Sequence, residues 1–242
     1  MSLDAKIDAA RQLLREVLAQ HGPDRVAVAW TGGKDSTLAL ALWRGVLHDA
    51  VSGASGVSGV SGASGARPLA LNLDTGCKFP EVMALRDRLA VEWGVTLHIA
   101  RPDVPPGYPV AADRAACCRD LKVAPLLRAV RALDVAVLLT GIRRDEHPDR
   151  AARPVREPVA EPPHLRVHPV LDFSEMDVWA ATMQLGLPHC ELYDRGYRSL
   201  GCMPCTLPPE GMRGAQGAGG ERAGRAADKE AMLASLHALG YF

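Results

Sequence analysis

The sequence has no excess of charge and no long apolar run. Lys plus Arg and Asp plus Glu both number 28 in a chain of 242 residues, so the formal net charge at pH 7 is zero. This balance gives no overall attraction to nucleic acid or to a membrane surface and favours small anions as partners. No stretch approaches the roughly 20 apolar residues of a membrane span, and the charged N-terminal segment carries no signal-like apolar stretch. We therefore expect a cytoplasmic protein.

Disulfide bonds are not expected, although the chain contains six cysteines. In a reducing compartment, thiols serve more often as metal ligands, nucleophiles or small buried side chains. An adjacent pair, Cys117 and Cys118, and a C-x-x-C turn, Cys202 and Cys205, can together supply four thiolates. Four thiolates suit zinc or an iron–sulfur cluster, and adjacent ligands are uncommon in zinc sites.

The pattern of apolar residues predicts one large α/β domain. Strand-like runs alternate with helical patterns, which indicates a doubly wound parallel sheet with helices on both faces. Phosphate-binding loops of such sheets lie at the carboxyl ends of the strands. The predicted strands are residues 25–30, 68–74, 96–102 and 135–141, and the predicted helices include residues 38–46, 80–93 and 121–133.

The remaining segments predict the organisation of the domain. Residues 51–66 form a Ser/Gly/Ala/Val tract, which is typical of a flexible inserted loop without chemistry. Ser174 and Asp177 predict the capped start of a helix. We expect a nucleotide-binding domain over residues 1–206, which ends in a cluster-binding segment. Residues 207–242 are predicted to be a mobile Gly/Arg-rich tail with a terminal helix.

Two glycines separate the first predicted strand from its helix, in the sequence TGGKDS at residues 31–36. The loop is not a Walker A motif, because an Asp follows the lysine where Ser or Thr would stand. Gly32 and Gly33 let backbone N–H groups approach an anion. Ser36 lies near the positive end of the helix, and Lys34 is expected to be a mobile cation. The loop is therefore predicted to bind phosphate.

Several segments of the chain resemble the phosphoadenylyl-sulfate (PAPS) and adenylyl-sulfate (APS) reductases. TGGKDS is similar to the SGGKDS pyrophosphate loop of the adenine-nucleotide α-hydrolase-like fold, which ATP pyrophosphatases and the small subunit of sulfate adenylyltransferase share. The segments DTGCKFPE, TGIRRDEHPDRA, HPVLDFSEMDVW and LYDRGYRSLGCMPCT are similar to further parts of the reductases. Together they cover about residues 25–206, so the chain is identified as a member of this family.

The resemblance implies which residues bind the nucleotide. Asp74 and Thr75 stand where an acid and a hydroxyl meet a ribose or a metal-bound phosphate. Arg143 and Arg144 offer fork-shaped donors for sulfate or phosphate oxygens and are candidate catalytic residues. Arg150, Arg195 and Arg198 are further arginine candidates for the same role. The implied nucleotide-binding set is Thr31, Gly32, Gly33, Lys34, Asp35, Ser36, Asp74, Thr75, Gly141 and Arg143.

The cysteine pattern resembles the [4Fe-4S] site of APS reductases, in the segments CCRDLKVAPL and GCMPCT. The implied ligands are Cys117, Cys118, Cys202 and Cys205. The small subunit of sulfate adenylyltransferase lacks these cysteines, so they favour the reductases.

Two departures from the family leave the reaction open. Thiol-dependent reductases carry a nucleophilic cysteine in a C-terminal ECG-x-H segment, and here no cysteine follows Cys205. The lysine of TGGKDS is instead typical of enzymes that split the α,β-phosphate bond of ATP. Cys77, predicted near the active-site mouth, is the candidate nucleophile, and Cys190 is the other remaining thiol.

Three hypotheses follow. In the first, the chain is an oxidoreductase of sulfate assimilation that reduces adenylyl sulfate to sulfite and AMP with a thioredoxin-like donor. In the second, it is an ATP-dependent enzyme that uses Mg²⁺ to adenylylate sulfate or another acceptor, or a cluster-dependent sulfurtransferase. Nucleic acid is a partner only if the chain is a sulfurtransferase, in which case it accepts the sulfur. In the third, it is a nucleotide- or redox-sensing module.

Overall fold

The computed structural model describes residues 1–53, 66–207, 221–230, 237 and 240. Most of the predicted flexible insertion, residues 54–65, lies outside the described residues, as do residues 208–220 and most of the predicted terminal helix. Across the described part of the chain, no helix combines the length and the apolar character needed to cross a membrane. The predicted domain boundary at residue 206 stays a prediction.

A six-stranded sheet with the order β3-β2-β1-β4-β6-β5 forms the centre of the fold. All neighbouring strands pair in parallel except β5, which is antiparallel to β6. The four predicted strands are confirmed, whereas β5 and β6 were not predicted. The strands are β1 Val26–Ala29, β2 Leu69–Leu73, β3 Thr96–Ala100, β4 Val137–Leu139, β5 Arg156–Val159 and β6 His164–Val167.

Helices cover both faces of this sheet, as predicted. Val26 and Val28 of β1 pack into one hydrophobic core, whereas Ala27 and Ala29 pack into the other. This alternation follows from the two-residue period of a strand and explains why β1 is apolar throughout. The helices are α1 Leu3–His21, α2 Lys34–Gly53, α3 Pro80–Glu92, α4 Arg114–Cys118, α5 Ala124–Ala132, α6 Glu175–Gln184 and α7 Ala227–Glu230.

The single helix predicted over residues 121–133 is wrong at its start. A π-helical turn, Arg119–Val123, links α4 to α5. Pro125, in the first turn of α5, has no N–H to donate to the carbonyl of Leu121 four residues earlier. The regular α-helical pattern is therefore interrupted directly after the adjacent cysteines. The predicted cap of α6 is confirmed, because Ser174 and Asp177 exchange both hydrogen bonds of a capping box.

The order of the strands places the candidate site. β1 is flanked by β2 on one side and by β4 on the other, so the chain leaves the sheet in opposite directions from neighbouring strands. Such a switch point opens a crevice at the carboxyl ends of the strands. The loop after β1 and the residues after β4 meet there.

Candidate active site

The loop at residues 31–36 holds its own shape through local hydrogen bonds. The backbone N–H of Thr31 donates to Ser36 Oγ at 3.2 Å, and Ser36 Oγ donates to the carbonyl of Gly33 at 3.0 Å. Gly32 has a φ of 82°. A Cβ atom at Gly32 would also lie 2.8 Å from Val82 Cγ1. Only glycine fits this turn.

Gly141 fixes the loop from the neighbouring strand. It follows β4, and a Cβ atom there would lie 2.5 Å from the backbone nitrogen of Ser36. The backbone after β4 therefore packs directly on the first turn of α2. This contact places the following residue pair, Ile142 and Arg143, beside the loop.

Lys34 is buried and ion-paired, and is not the mobile cation that was predicted. Its side chain is 1% exposed, and Nζ contacts Asp35 Oδ2 at 3.3 Å, the carbonyl of Arg198 at 3.3 Å and the carboxylate of Glu221. Burial alone would lower the pKa of Lys34, but the negative charges of Asp35 and Glu221 outweigh it and the pKa is raised. The backbone N–H of Lys34 donates to Tyr193 Oη at 3.0 Å.

Arg143 completes the same ion-pair network. Its side chain is fully buried, and Nε donates to Asp35 Oδ1 at 2.7 Å while Nη2 pairs with Glu221. Burial opposes the charge of Arg143, but the nearby carboxylates raise its pKa. Arg144 does not join this site. Its guanidinium pairs with Asp172 and donates to a backbone carbonyl at 2.8 Å.

The loop, Gly141 and the ion-pair network border a cavity of about 120 Å³. Its opposite wall comes from residues 221–225, a part of the chain that sequence reasoning assigned to a mobile tail. Arg225 is 5% exposed, and its Nε has no hydrogen-bond partner within the described residues. Its guanidinium lies flat on Gly201, where a Cβ atom would be 2.2 Å from Nη2. Arg225 therefore brings an unused donor to the cavity.

The cysteines from three distant segments gather next to this cavity. Cys202 and Cys205 flank a 3₁₀ turn, and Cys202 Sγ lies 3.3 Å from Thr75 Oγ1. The backbone N–H of Met203 donates to the carbonyl of Cys77 at 2.8 Å. Residues 199 and 200 line the cavity, so one short segment connects the cavity to the cysteines.

Five of the thiols act on one another electrostatically. Burial raises the pKa of Cys77, and Cys202, Cys117 and Cys205 raise it further. Burial also raises the pKa of Cys117, against a lowering backbone hydrogen bond, and Cys118 adds to the increase. We call these five residues the thiol group. Arg114 donates to Cys205 Sγ at 3.1 Å.

Other predicted residues lie elsewhere. Cys190 is buried, and the charges that act on its pKa are those of acidic and basic side chains, not of other thiols. Asp74 accepts from the backbone N–H of Gly76 at 3.1 Å in its own turn. Thr75, expected at the nucleotide, contacts the thiol group. Arg195 pairs with Glu81 and Glu191, Arg198 with Glu175, and Arg150 with Glu146 at the edge of the cavity.

Sequence reasoning missed Glu221, Arg225 and Tyr193. Glu221 and Arg225 stand in a segment whose Gly, Arg and Ala content shows no apolar period, so only the short charged sequence ERAGR could have indicated them. Tyr193 lies in the sequence YDRGYR, in which only the arginines were predicted to have a role. Tyr193 and Glu221 act through contacts with residues more than 70 positions away, whereas Arg225 contacts Gly201, which precedes it by 24 positions.

Comparisons with known proteins identify the family of the chain. The family model for the phosphoadenosine phosphosulfate reductase domain matches residues 25–208. The chain belongs to the PAPS reductase family. An adenosine 5'-phosphosulfate reductase of Neisseria meningitidis is 39% identical over 101 residues, a match that covers 42% of this chain and 40% of the relative's length. A phosphoadenosine 5'-phosphosulfate reductase of Xanthomonas axonopodis is 29% identical over 226 residues, which cover 88% of this chain and 85% of the relative.

Solved structures share the fold of this PAPS reductase family member. The PAPS reductase of Candida auris, in a phosphate complex, superposes with a TM-score of 0.63 at 21% identity, over 85% of this chain and 96% of that chain. The U34-tRNA thiolase of Methanococcus maripaludis, solved with its [4Fe-4S] cluster, has a TM-score of 0.52 at 14% identity, over 77% and 66%. At these identities, the likeness concerns the fold alone.

Within the part of the chain that the structure describes, no three His, Cys, Asp or Glu side chains surround a single metal-ion position. A [4Fe-4S] cluster takes one thiolate at each of four irons, so its ligands stand further apart than those of one ion. The thiol group consists of two buried cysteine pairs and the half-buried Cys77, and thiolates are the ligands that such a cluster takes.

Proposed function

We propose that this chain is an oxidoreductase that reduces adenylyl sulfate to sulfite and AMP. The observation that carries the proposal is the thiol group beside a nucleotide-type loop and its cavity. Loop glycines and an unused arginine donor suit an anionic nucleotide, and thiols suit a two-electron reduction. Membership in the PAPS reductase family supports the same chemistry, and its relatives are named for both APS and PAPS.

The nucleotide is proposed to bind with its α-phosphate at the loop of residues 31–36. Backbone N–H groups at the start of α2 and the positive end of that helix favour a negative charge there. The sulfate of the substrate would then lie in the cavity within reach of Arg225, whose Nε is buried without a partner. A buried N–H donor without a partner is costly, and an anion that accepts from Nε would satisfy it.

Four cysteines are proposed to hold a [4Fe-4S] cluster, namely Cys117, Cys118, Cys202 and Cys205. The cluster would supply a charged, redox-active centre near the substrate. Thr75 and Arg114, which contact Cys202 and Cys205, would orient those two thiolates. Cys77 is the thiol left over in the group.

Cys77 is proposed as the nucleophile. Its thiolate would attack the sulfur of the substrate sulfate, the bond from sulfur to the phosphate oxygen would break, and AMP would leave with both electrons of that bond. One thiolate of a thioredoxin-like dithiol of the cytoplasm would then attack Cys77 Sγ, and sulfite would leave with the electrons of the sulfur–sulfur bond. The second thiol of the donor would break the resulting mixed disulfide, which regenerates the Cys77 thiol and leaves the donor as a disulfide. The two electrons that reduce the substrate thus come from the dithiol.

Anaerobic turnover tests the proposal. The iron-loaded protein is incubated with adenylyl sulfate, with PAPS or with ATP, and sulfite, AMP and pyrophosphate are measured. We expect sulfite and AMP from adenylyl sulfate, no sulfite from the Cys77→Ser variant, and unchanged turnover in Cys190→Ser. Full sulfite release by Cys77→Ser would exclude the thiol route. If sulfite forms from PAPS and not from adenylyl sulfate, PAPS is the substrate.

A second candidate is adenylylation with release of pyrophosphate from ATP. The lysine in TGGKDS favours it, because this residue is typical of enzymes that bind the β- and γ-phosphates. Pyrophosphate from ATP without any sulfite would give this candidate first place. The buried ion pairs of Lys34 weigh against it.

A further inference from the structure

The carboxylate of Glu221 occupies an anion position between two buried cations. One oxygen pairs with Lys34 Nζ and the other with Arg143 Nη2. The side chains of the two cations are 1% and 0% exposed, and that of Glu221 is 6% exposed. Two oxygens that bridge two cations resemble the edge of a bound phosphate.

Protein oxygens already occupy the three donors of Lys34 and contact all three guanidinium nitrogens of Arg143. An ammonium group has three N–H donors, and Lys34 has three acceptors around Nζ: Asp35, Glu221 and the carbonyl of Arg198. Arg143 directs Nε to Asp35, Nη1 to Asp145 at 3.3 Å and Nη2 to Glu221. While Glu221 stays in place, Lys34 has no N–H left for a ligand, and each of the three guanidinium nitrogens of Arg143 is already directed at a protein oxygen.

Charge around this position also disfavours further phosphates. Asp35, Glu146 and Glu221 surround Arg143, with Glu146 Oε1 at 3.8 Å from its Nε. Glu146 is itself paired with Arg150 and Arg222 on its other side. The positive charges of Lys34 and Arg143 are already balanced by these carboxylates. A pyrophosphate that entered here would therefore be repelled by the carboxylates, with neither of these two cations free to attract it.

We propose that Glu221 makes the nucleotide site selective against polyphosphates. Its carboxylate stands where the terminal phosphates of ATP would meet Lys34 and Arg143, so the site accepts a nucleotide with a single further anionic group, which Arg225 can bind. This inference rests on the proposed function, since it explains how a loop of ATP-binding type serves adenylyl sulfate. Glu221 is a specificity-determining residue and takes no part in the chemistry.

Direct binding of pyrophosphate, ATP and AMP tests this proposal without turnover. Titration calorimetry on the iron-loaded protein compares the wild type with Glu221→Gln, which keeps the size of the side chain, and with Glu221→Ala. Glu230→Gln is the matched control, because it removes a carboxylate of the same segment that pairs with Arg222 rather than with Lys34. We expect affinity for pyrophosphate and ATP to rise at least about tenfold in both Glu221 variants, with AMP nearly unchanged.

The outcomes separate this inference from the proposed function. Unchanged affinity for pyrophosphate in both Glu221 variants, or a wild type that binds ATP more tightly than AMP, overturns the role of Glu221 even if sulfite is formed. A gain in pyrophosphate binding in a protein that makes no sulfite supports the role of Glu221 and rejects the reductase. A pyrophosphate-dependent rise in melting temperature serves as the readout if Glu221→Ala folds poorly, and its absence in Glu221→Gln also overturns the proposal.

Discussion

The nucleotide loop and the thiol group lie side by side but are built in opposite ways. The loop is six consecutive residues that bond to one another, and its buried charges are paired within the protein. The thiol group is assembled from distant segments, and burial raises the pKa of Cys77 and Cys117, which favours the protonated form of these two thiols. One region thus has its charges paired within the protein, whereas the other would be completed by the proposed cluster.

The largest expected effect is the loss of the cofactor from the thiol group. Anaerobically purified protein should be brown, with about four irons per chain and broad absorption near 400 nm. Cys202→Ser should remove the colour and the iron and abolish sulfite formation, because Cys202 contacts both Thr75 and the segment of Cys77. Cys190→Ser should keep all three properties. A colourless protein with one zinc per chain would contradict the proposed cluster.

Gly141→Ala should break the loop while leaving the thiol group able to bind iron. The new methyl group would lie 2.5 Å from the nitrogen of Ser36, so the start of α2 must move. We expect a loss of about 1–3 kcal/mol in the free energy of unfolding and loss of nucleotide binding. Denaturant unfolding and AMP titration measure the two effects.

Gly45→Ala is the matched control for that substitution. Gly45 lies within α2, and a Cβ atom there has no neighbour within 4 Å. It should stabilise the protein by about 0.5–1 kcal/mol and leave nucleotide binding intact. Equal effects of the two substitutions would refute the tight contact between β4 and the loop.

Arg225→Ala should affect the sulfate end of the substrate alone. We expect about tenfold weaker binding of adenylyl sulfate, because one charge-assisted hydrogen bond is lost, and unchanged binding of AMP. Arg225→Lys should recover part of the loss. If AMP binding falls by the same factor, Arg225 serves the structure of residues 199–206 and not the anion.

The smallest effect is expected outside both regions, at the cap of α6. The hydrogen bond from Lys6, with bonds from Ser174, lowers the pKa of Asp177 to about 2. A depressed carboxyl pKa contributes stability above about pH 4, its unfolded value, and the contribution is lost as the pH falls toward 2. Asp177→Asn should cost up to about 1 kcal/mol at pH 7. A melting-temperature difference that persists unchanged at pH 2 would contradict this account.

The local parts of this structure could be predicted, and the parts that depend on distant contacts could not. Apolar runs and the glycine loop identified β1 to β4 and the turn at Gly32, because strand burial and backbone conformation act over neighbouring residues. β6 carries two buried polar residues, His164 and Arg166, so its pattern is not apolar. Glu221 acts only through side chains 78 or more positions away, and no local pattern encodes that contact.

The π-helical turn at Arg119–Val123 has a consequence for insertions and deletions in this gene. Such a turn holds one residue more than a regular helical turn, and each residue of an α-helix advances about 100° around the axis. Deleting one residue there would restore a regular helix, and α5 is held to the sheet by Leu126, Ala129 and Val130. Because α5 cannot rotate, α4 would rotate about the helix axis and turn Cys117 and Cys118 away from Cys202. The number of residues in this short segment is thus constrained by the cysteines that precede it.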